Sequence, residues 1–491
     1  MRAMSLAEIA AAVGGRLHRT DGAALVTGDV EFDSRKVGAG GLFVAVPGER
    51  VDGHDFAAKA VAAGAAGVLA AREVDAPSVI VPPKATEYAG AYALAGDADG
   101  SGAAVLAAFG ALARYLVDRL PALNVIGITG SSGKTTTKDL VAQLLQATGP
   151  TVAPPGSFNN ELGHPWTVLR ADEQTRNLVL ELSARGTGHI AALCRIAPPR
   201  IGVVLNVGSS HLGEFGSREG IARAKGELVE ALPAAADGGV AVLNADDPLV
   251  AAMAERTAAR VVLVGEHRDA AVRAADVHVD EQARPRFRLV TERGEADVVL
   301  PLHGGHQIGN ALSAAAVALE LGVGVPDVAG RLSAARAVSA KRMEVVTRAD
   351  GVTVINDAYN ASPESVRAAL KSLATMARAG EGRRTWAVLG PMGELGEAGA
   401  EVHDEIGRLA VRLDINRLVV VGEQGRPMHQ GACLEGSWGE ESVLVPDVDA
   451  ALELLGEQLR AGDAVLVKAA NAFALWRVAD ALLGNAGGDA G

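Results

Sequence analysis

The stretch Thr129-Gly-Ser-Ser-Gly-Lys-Thr-Thr136 places small residues, one lysine and several hydroxyls between an apolar segment, Val125-Ile-Gly-Ile128, and a helical pattern that runs to Leu145. This is the composition of a phosphate-binding turn. Without bulky side chains, the backbone N–H groups of Gly130, Ser131, Ser132, Gly133 and Thr136 can close on phosphate oxygens, and the helix N-terminus adds positive potential. Lys134 can reach the outer phosphates of a nucleotide, and the Thr135 hydroxyl can ligate magnesium. The spacing departs from the usual G-x-x-x-x-G-K-S/T, since Ile128 takes the first glycine's place between Gly127 and Gly130. A glycine-rich turn with no ligand is the bland alternative, and it leaves a lysine between strand and helix without a purpose.

Two further residues have types suited to the same chemistry. Glu181 ends the apolar run Leu178-Val-Leu-Glu181, and His211 lies six residues past Leu205 in Asn206-Val-Gly-Ser-Ser-His211. If both runs are parallel strands, these residues fall at the C-terminal edge of the sheet, beside the phosphate turn. A carboxylate is a natural magnesium ligand and an imidazole a less usual one. Taken singly, each is equally a loop or capping residue.

These residues need a scaffold to hold them, and the 491-residue chain is long enough for about three domains. Apolar types at 49% and charged types at 21% suit packed cores rather than extended disorder. The formal net charge of -13 leaves no overall positive field for a nucleic-acid backbone or an anionic membrane, so an anionic substrate must meet local cations. Two cysteines without paired spacing suggest neither a disulfide framework nor a zinc ribbon. The first fifteen residues lack the basic-then-apolar order of a signal peptide, and no stretch has the length and apolarity of a membrane span. A monomer in the cytoplasm is expected.

Residues 92–102 are small, acidic and poor in large apolar side chains, as expected for a linker or an exposed loop, and the first boundary is placed there. Before it, Gly41–Val46, Ser78–Val81 and a helix-like Phe56–Gly64 predict a small mixed α/β domain. After it, the runs at 125–128, 178–181, 201–205 and 260–264, each with a loop and a helical pattern, predict parallel βαβ units. From Asp276 to Leu302 short alternating strands suggest an antiparallel insert before a helix near 307–321. A second α/β series follows from 352–355 through 385–389, 417–421 and 464–467. The expected divisions are 1–98, 99–336 and 337–491: a substrate domain, a central ATP-binding domain with a parallel sheet, and a Rossmann-like α/β domain.

The phosphate turn, the glutamate-ended strand, Asn206–His211 and Ala224-Lys-Gly-Glu227 together resemble the Mur ligase family, and the likeness extends over nearly the whole chain. In the first domain Asp33-Ser-Arg35 and Asp52-Gly-His-Asp-Phe56 are similar to the family's UDP-sugar segment, which implies contacts from Ser34, Arg35, Gly53 and His54. Gly41 stands where an aspartate is expected. Gly305-His-Gln-Ile-Gly-Asn310 resembles the motif whose asparagine meets adenine; Arg342 and Asp357 match nucleotide contacts. Singly, these are also a helix N-terminus, a surface cation and a turn.

Tyr359-Asn-Ala-Ser-Pro363 and Ser210–Ser217 resemble the D-alanyl-D-alanine-adding type, so the resemblance implies an ATP- and magnesium-dependent amide ligase acting on a UDP-muramoyl tripeptide. Tyr359, Asn360 and Ala361 would then contact substrate. The likeness of Ala224-Lys-Gly-Glu227 to the family's modified-lysine motif implies that Lys225 is carbamylated and serves as an anionic ligand for a second magnesium, while Thr135, Glu181 and His211 hold the first. Helical spacing places Lys225 on the apolar stripe of Ile221, Leu228, Val229 and Leu232, where an unmodified, snorkelling lysine is the alternative. Asn471 stands where an arginine is often found. The rival readings are a diamino-acid-adding relative, a folyl-glutamate ligase, and a P-loop switch or transporter ATPase that makes no amide.

Overall fold

The computed structural model describes residues 2–48, 51–83, 97, 99–209, 212–378, 383–436, 439 and 441–484. Three sheets carry them, with a small antiparallel ribbon of Met4–Ser5 and Leu25–Val26 at the start. His211 and most of the linker stretch, residues 92–96 and 98, lie outside the described residues, as does the tail from 485 onward.

The first sheet runs Arg16–His18, Ser78–Ile80, Gly67–Ala70, Leu42–Val44, Val30–Glu31, parallel except for its first pair. The helix expected over 56–64 is shorter. Asp52 accepts from the His54 backbone N–H at 2.9 Å, which starts a 3-10 turn, Gly53–Phe56, before the α-helix Ala57–Ala62.

The central sheet places Asn124–Thr129 between Asn177–Glu181 and Ile201–Val204, with Thr151–Val152 at one edge. On the other side follow Val240–Asn244, Arg260–Gly265, Val272–Val279, Pro285–Thr291 and Gly294–Val299. The strand before the phosphate turn is therefore the point where the connections diverge to left and right, which opens a crevice beyond its C-terminal end. The antiparallel strands expected from Asp276 begin earlier, at Val272, and continue the central sheet rather than standing apart from it. Their onset is hidden in the sequence because Asp276 has φ 52° and the register shifts between Ala275 and His278, which interrupts the alternation. The helix expected over 307–321 is Gln307–Glu320, and with Lys134–Leu145 it covers one sheet face.

The third sheet runs Glu344–Thr347, Thr353–Asn356, Ala464–Lys468, Thr385–Leu389, Arg417–Val421, Ser442–Val445, antiparallel only at its first pair. The last strand in sequence enters the middle of the sheet, so Asp357 and Lys468 end neighbouring strands.

One hydrophobic cluster crosses from the first sheet to the second. It joins Leu6, Leu42 and Leu69 to Phe109 and Leu112 of the helix Ser101–Val117, and on to Leu180 and Ile190. At the same junction the Trp166 indole N–H donates to the buried Glu31 carboxylate at 3.2 Å, while Phe158 stacks on Trp166 at 4.4 Å. Burial raises the Glu31 pKa, against the pull of the Trp166 hydrogen bond. Among the described residues no helix is long and apolar enough to cross a membrane.

Candidate active site

The phosphate turn closes on the neighbouring strand-end loop through its own backbone. Ser131 N donates to Asn206 O at 3.1 Å and Ser132 N to Asn206 Oδ1 at 2.9 Å, while Gly208 N donates to Ser131 Oγ at 2.9 Å. Gly133 has φ 80°, and a Cβ there would stand 2.4 Å from Asn310 Oδ1, so both conformation and space require glycine. Thr137 Oγ1 donates to that same Asn310 oxygen at 3.2 Å, and Asn310 Nδ2 donates to Gln307 Oε1 at 2.8 Å. The turn and the helix Gln307–Glu320 thus share one buried polar junction.

Lys134 Nζ donates to Gly130 O at 2.7 Å, lying back across the turn in the position a phosphate oxygen can take over. Burial lowers its pKa, with Glu181 opposing that shift and Arg342 adding to it. Glu181 is 1% exposed and accepts three hydrogen bonds: Thr135 Oγ1 at 2.8 Å on Oε2, and Ser157 Oγ at 2.9 Å and Asn159 Nδ2 at 2.7 Å on Oε1. A threonine hydroxyl and a carboxylate side by side are hard oxygen donors of the kind magnesium takes alongside phosphate and water. Among the described residues no group of three or more His, Cys, Asp or Glu forms a metal cluster. Magnesium bound with a nucleotide needs none, since one or two carboxylates suffice.

The third sheet faces this turn across a cleft of about 870 Å³. Arg342 lines it, its guanidinium 4.2 Å over the Tyr359 ring and its Nε buried without a hydrogen-bond partner. Asp357 Oδ1 accepts from Met343 N at 3.0 Å, and Oδ2 pairs with Lys468 Nζ at 2.6 Å. That lysine also donates to Asn360 O at 2.8 Å, which fixes the loop carrying Tyr359, Asn360 and Ala361 along the cleft wall. The two sides touch where Ser209 N and Oγ both donate to Glu364 Oε1 at 2.7 Å, and where Arg185 pairs with Glu394 at 3.2 Å.

Family descriptions match in three consecutive blocks: the Mur ligase family catalytic domain over residues 29–108, the Mur ligase middle domain over 128–318, and the Mur ligase glutamate ligase domain over 341–471. The chain is 58% identical to the UDP-N-acetylmuramoyl-tripeptide--D-alanyl-D-alanine ligase of Mycobacterium tuberculosis, with 98% of each chain covered. This chain belongs to the Mur ligase family. An Escherichia coli relative of the same name is 32% identical over 99% of both chains. Among solved structures, MurF from Acinetobacter baumannii superposes with TM-score 0.82 at 29% identity, covering 99% of each chain. MurF from Thermotoga maritima in complex with ADP does so with TM-score 0.76 at 28% identity, covering 94% of this chain and 98% of that one.

As a Mur ligase the chain is an enzyme, a ligase, which removes the reading as a nucleotide switch. The structure gathers Ser131 to Thr136, Glu181, Asn310, Arg342, Asp357 and Tyr359 to Ala361 around one cleft, with the Gly130 carbonyl taken by Lys134. The expected UDP-sugar residues lie apart from it, in the loop after Val30–Glu31 and in the turn Gly53–Phe56 beside the first sheet. Arg35 is exposed and pairs with Asp33 at 2.9 Å, which holds the Asp33 pKa down to about 2; Ser34 sits between them. His54 is sealed in: Nε2 accepts from Ala71 N at 2.9 Å, so Nδ1 carries the proton and donates to Asp52 at 2.6 Å. Gly53 packs directly on the Val46 backbone.

Lys225 is buried on the helix Arg218–Glu230, and desolvation, with help from the Lys134 charge, holds its amine well below the usual lysine range. Sequence reasoning passed over Ser157, Asn159 and Lys468. Lys468 carried the signal that exposed Glu181, a charged residue ending an apolar parallel strand; Ser157 and Asn159 sit in a loop with no such mark.

Proposed function

We propose that this ligase joins D-alanyl-D-alanine to UDP-N-acetylmuramoyl-tripeptide, using ATP and magnesium and releasing ADP and phosphate. The observation that carries the reading is the meeting of Lys134, Thr135 and Glu181 from the central sheet with Arg342 and Asp357 from the third sheet across one cleft. Support for the particular substrates comes from the name of the relative at 58% identity. Membership of the family and the ADP-bound neighbour support the nucleotide.

A carboxylate is a poor electrophile, so the terminal carboxylate of the tripeptide first attacks the γ-phosphorus. The bond from that phosphorus to the β-bridging oxygen breaks, and ADP leaves. The amine of D-alanyl-D-alanine then attacks the acyl carbon, the resulting tetrahedral centre expels phosphate, and the amine gives up its proton. Lys134 leaves Gly130 O to neutralise the moving phosphoryl group, and Arg342, braced on Tyr359, does so from the opposite wall. Thr135 and Glu181 would hold magnesium, which supplies charge neutralisation at the phosphates. Asn310, Asp357 and the backbone of Gly130 to Thr136 position the nucleotide, while Tyr359, Asn360 and Ala361 present the incoming amine. Closing the cleft keeps water from the acyl phosphate.

Lys225, buried where desolvation favours the neutral amine that reacts with carbon dioxide, would become a carbamate and serve as an anionic ligand for a second magnesium, with His211 joining Thr135 and Glu181 at the first. Ser34, Arg35 and Gly53 would meet the UDP-sugar, with His54 shaping the turn beneath them. The same reading divides the chain at 98 and 336 and places the enzyme in the cytoplasm with its nucleotide substrates. The test is phosphate release from ATP, magnesium and UDP-muramoyl tripeptide with each amine in turn. D-Alanyl-D-alanine should support release, and lysine or diaminopimelate should not. Turnover of a diamino acid on a UDP-muramoyl dipeptide would overturn the substrate assignment.

A further inference from the structure

Behind the phosphate turn lies a charged pair that no step above uses. Lys138 and Asp139 follow Thr137 on the helix Lys134–Leu145; Lys138 is fully buried and Asp139 is 8% exposed. Lys138 Nζ meets Asp139 Oδ1 at 2.5 Å and donates to Pro154 O at 2.6 Å. Asp139 Oδ2 in turn accepts from Ser339 N at 3.2 Å. One helical turn on, Gln143 takes Arg336 from both sides: Arg336 N donates to Gln143 Oε1 at 2.9 Å, and Gln143 Nε2 donates to Arg336 O at 3.1 Å. The segment so held, 336–339, joins the central sheet to the third, and three residues beyond Ser339 is Arg342.

Two features bear on how Arg342 is held. Lys341 and Met343 on either side of it have φ of 60° and 50°, left-handed values that cost these side chains energy and persist only where surrounding contacts impose them. The same two residues are held on the third sheet's side, the Lys341 amine 3.9 Å over the ring of Trp476 on the last helix and Met343 N on Asp357. The strained span that carries Arg342 is therefore held to the third sheet's side at 341 and 343, and the segment leading into it is held to the phosphate-binding helix at Arg336 and Ser339. On its other arm, Lys138 pins Pro154, three residues before Ser157, whose hydroxyl holds Glu181.

We propose that Lys138, Asp139 and Gln143 are positioning residues for the ligase reaction: they clamp the interdomain segment to the phosphate-binding helix and so set where Arg342 stands relative to Lys134. A buried ion pair is not in itself a gain in stability, because desolvation offsets the attraction, which leaves room for a role in geometry. The proposal rests on the assignment of Arg342 to the phosphoryl group.

The experiment is a double-mutant cycle on full-length enzyme, with turnover and KM measured for ATP and for UDP-muramoyl tripeptide. Gln143→Ala and Asp139→Asn should each lower kcat about tenfold while leaving the tripeptide KM within about twofold, a split that general loosening of the fold does not give. In the Arg342→Ala background the same substitutions should cost less than about twofold, because the residue they position is gone. Gln143 is only partly buried, so Gln143→Ala carries the test if Asp139→Asn fails to fold. Full additivity with Arg342→Ala, or an unchanged kcat in Gln143→Ala, would overturn the clamp. Wild-type turnover in Arg342→Ala would overturn the nucleotide-site assignment together with it.

Discussion

Glu181→Gln separates the chemical role of the strand-ending carboxylate from its place in the fold. The wild-type side chain accepts three hydrogen bonds, from Thr135, Ser157 and Asn159. A glutamine of the same shape can turn its oxygen to Ser157 and Asn159 and its amide N–H to the Thr135 hydroxyl, which accepts as readily as it donates. Each bond then falls from the charge-assisted range to the neutral one, a loss of about 1 kcal/mol apiece and about 3 kcal/mol at most. Against this, a 1% exposed carboxylate no longer has to be desolvated, so the net cost should stay near 2 kcal/mol or below. That corresponds to a fall in melting temperature of less than about 8 °C. The amide cannot supply the anionic ligand, and loss of one such electrostatic group from the reacting centre costs a factor of about 100 or more in kcat, roughly 2.7 kcal/mol. Coupled ADP-release assays across a magnesium titration, alongside thermal unfolding, measure both effects. Turnover within about threefold of wild type at every magnesium concentration would refute the assignment.

Lys134→Ala should leave melting nearly unchanged, because its amine serves only a turn carbonyl, yet abolish ligation; more than about a tenth of wild-type turnover would contradict the role given to it. Lys225→Ala should lose activity and regain part of it with a small added carboxylate, and full activity without rescue would dismiss the carbamate. His164, buried on the short helix Gly163–Val168, has its pKa pushed down to about 4 by desolvation. The unfolded chain takes up a proton near pH 6.5 and the folded one only near pH 4, so stability is full above pH 6.5 and falls by about 3 kcal/mol as the pH drops through that window. Urea titrations of wild type and His164→Leu should therefore give stability differences that change by that amount between pH 7 and 4, and a constant difference would contradict it.

The phosphate turn and Glu181 were legible because their chemistry coincides with a local pattern: an apolar strand, a charged or glycine-rich end, then a helix. The third sheet's strands at 385–389 and 417–421 were read from the same pattern and stand at those residues. What the sequence withheld is non-local. Nothing in the run Ala464–Lys468 says that it enters between two earlier strands, so the pairing of Lys468 with Asp357, separated by 111 residues, could not be read. The linker was read too long at its C-terminal end, because Ser101 and Gly102 look like spacer residues. Asp97 accepts from the backbone N–H groups of Gly102 and Ala103 at 2.9 Å, which draws both small residues into the start of a helix. His54 shows the reverse: its motif reads as a contact, but both ring nitrogens are taken up by the fold.

The hydrophobic cluster that crosses from the first sheet into the second bears on how this enzyme can be taken apart or recombined. Leu6 and Leu42 share their burial with Phe109, Leu112 and Ile190, whereas Leu370, Ile406 and Leu466 belong to a separate core around the third sheet. Cutting the chain near residue 98 would bare apolar surface on both pieces, so the first-sheet module is not a detachable cartridge. Grafting it from a relative of different specificity would have to carry along the matching face of the helix Ser101–Val117 and the Glu31–Trp166 contact. The third sheet, with a core of its own, is the part more readily exchanged as a unit, provided that the segment 336–339 still meets Asp139 and Gln143.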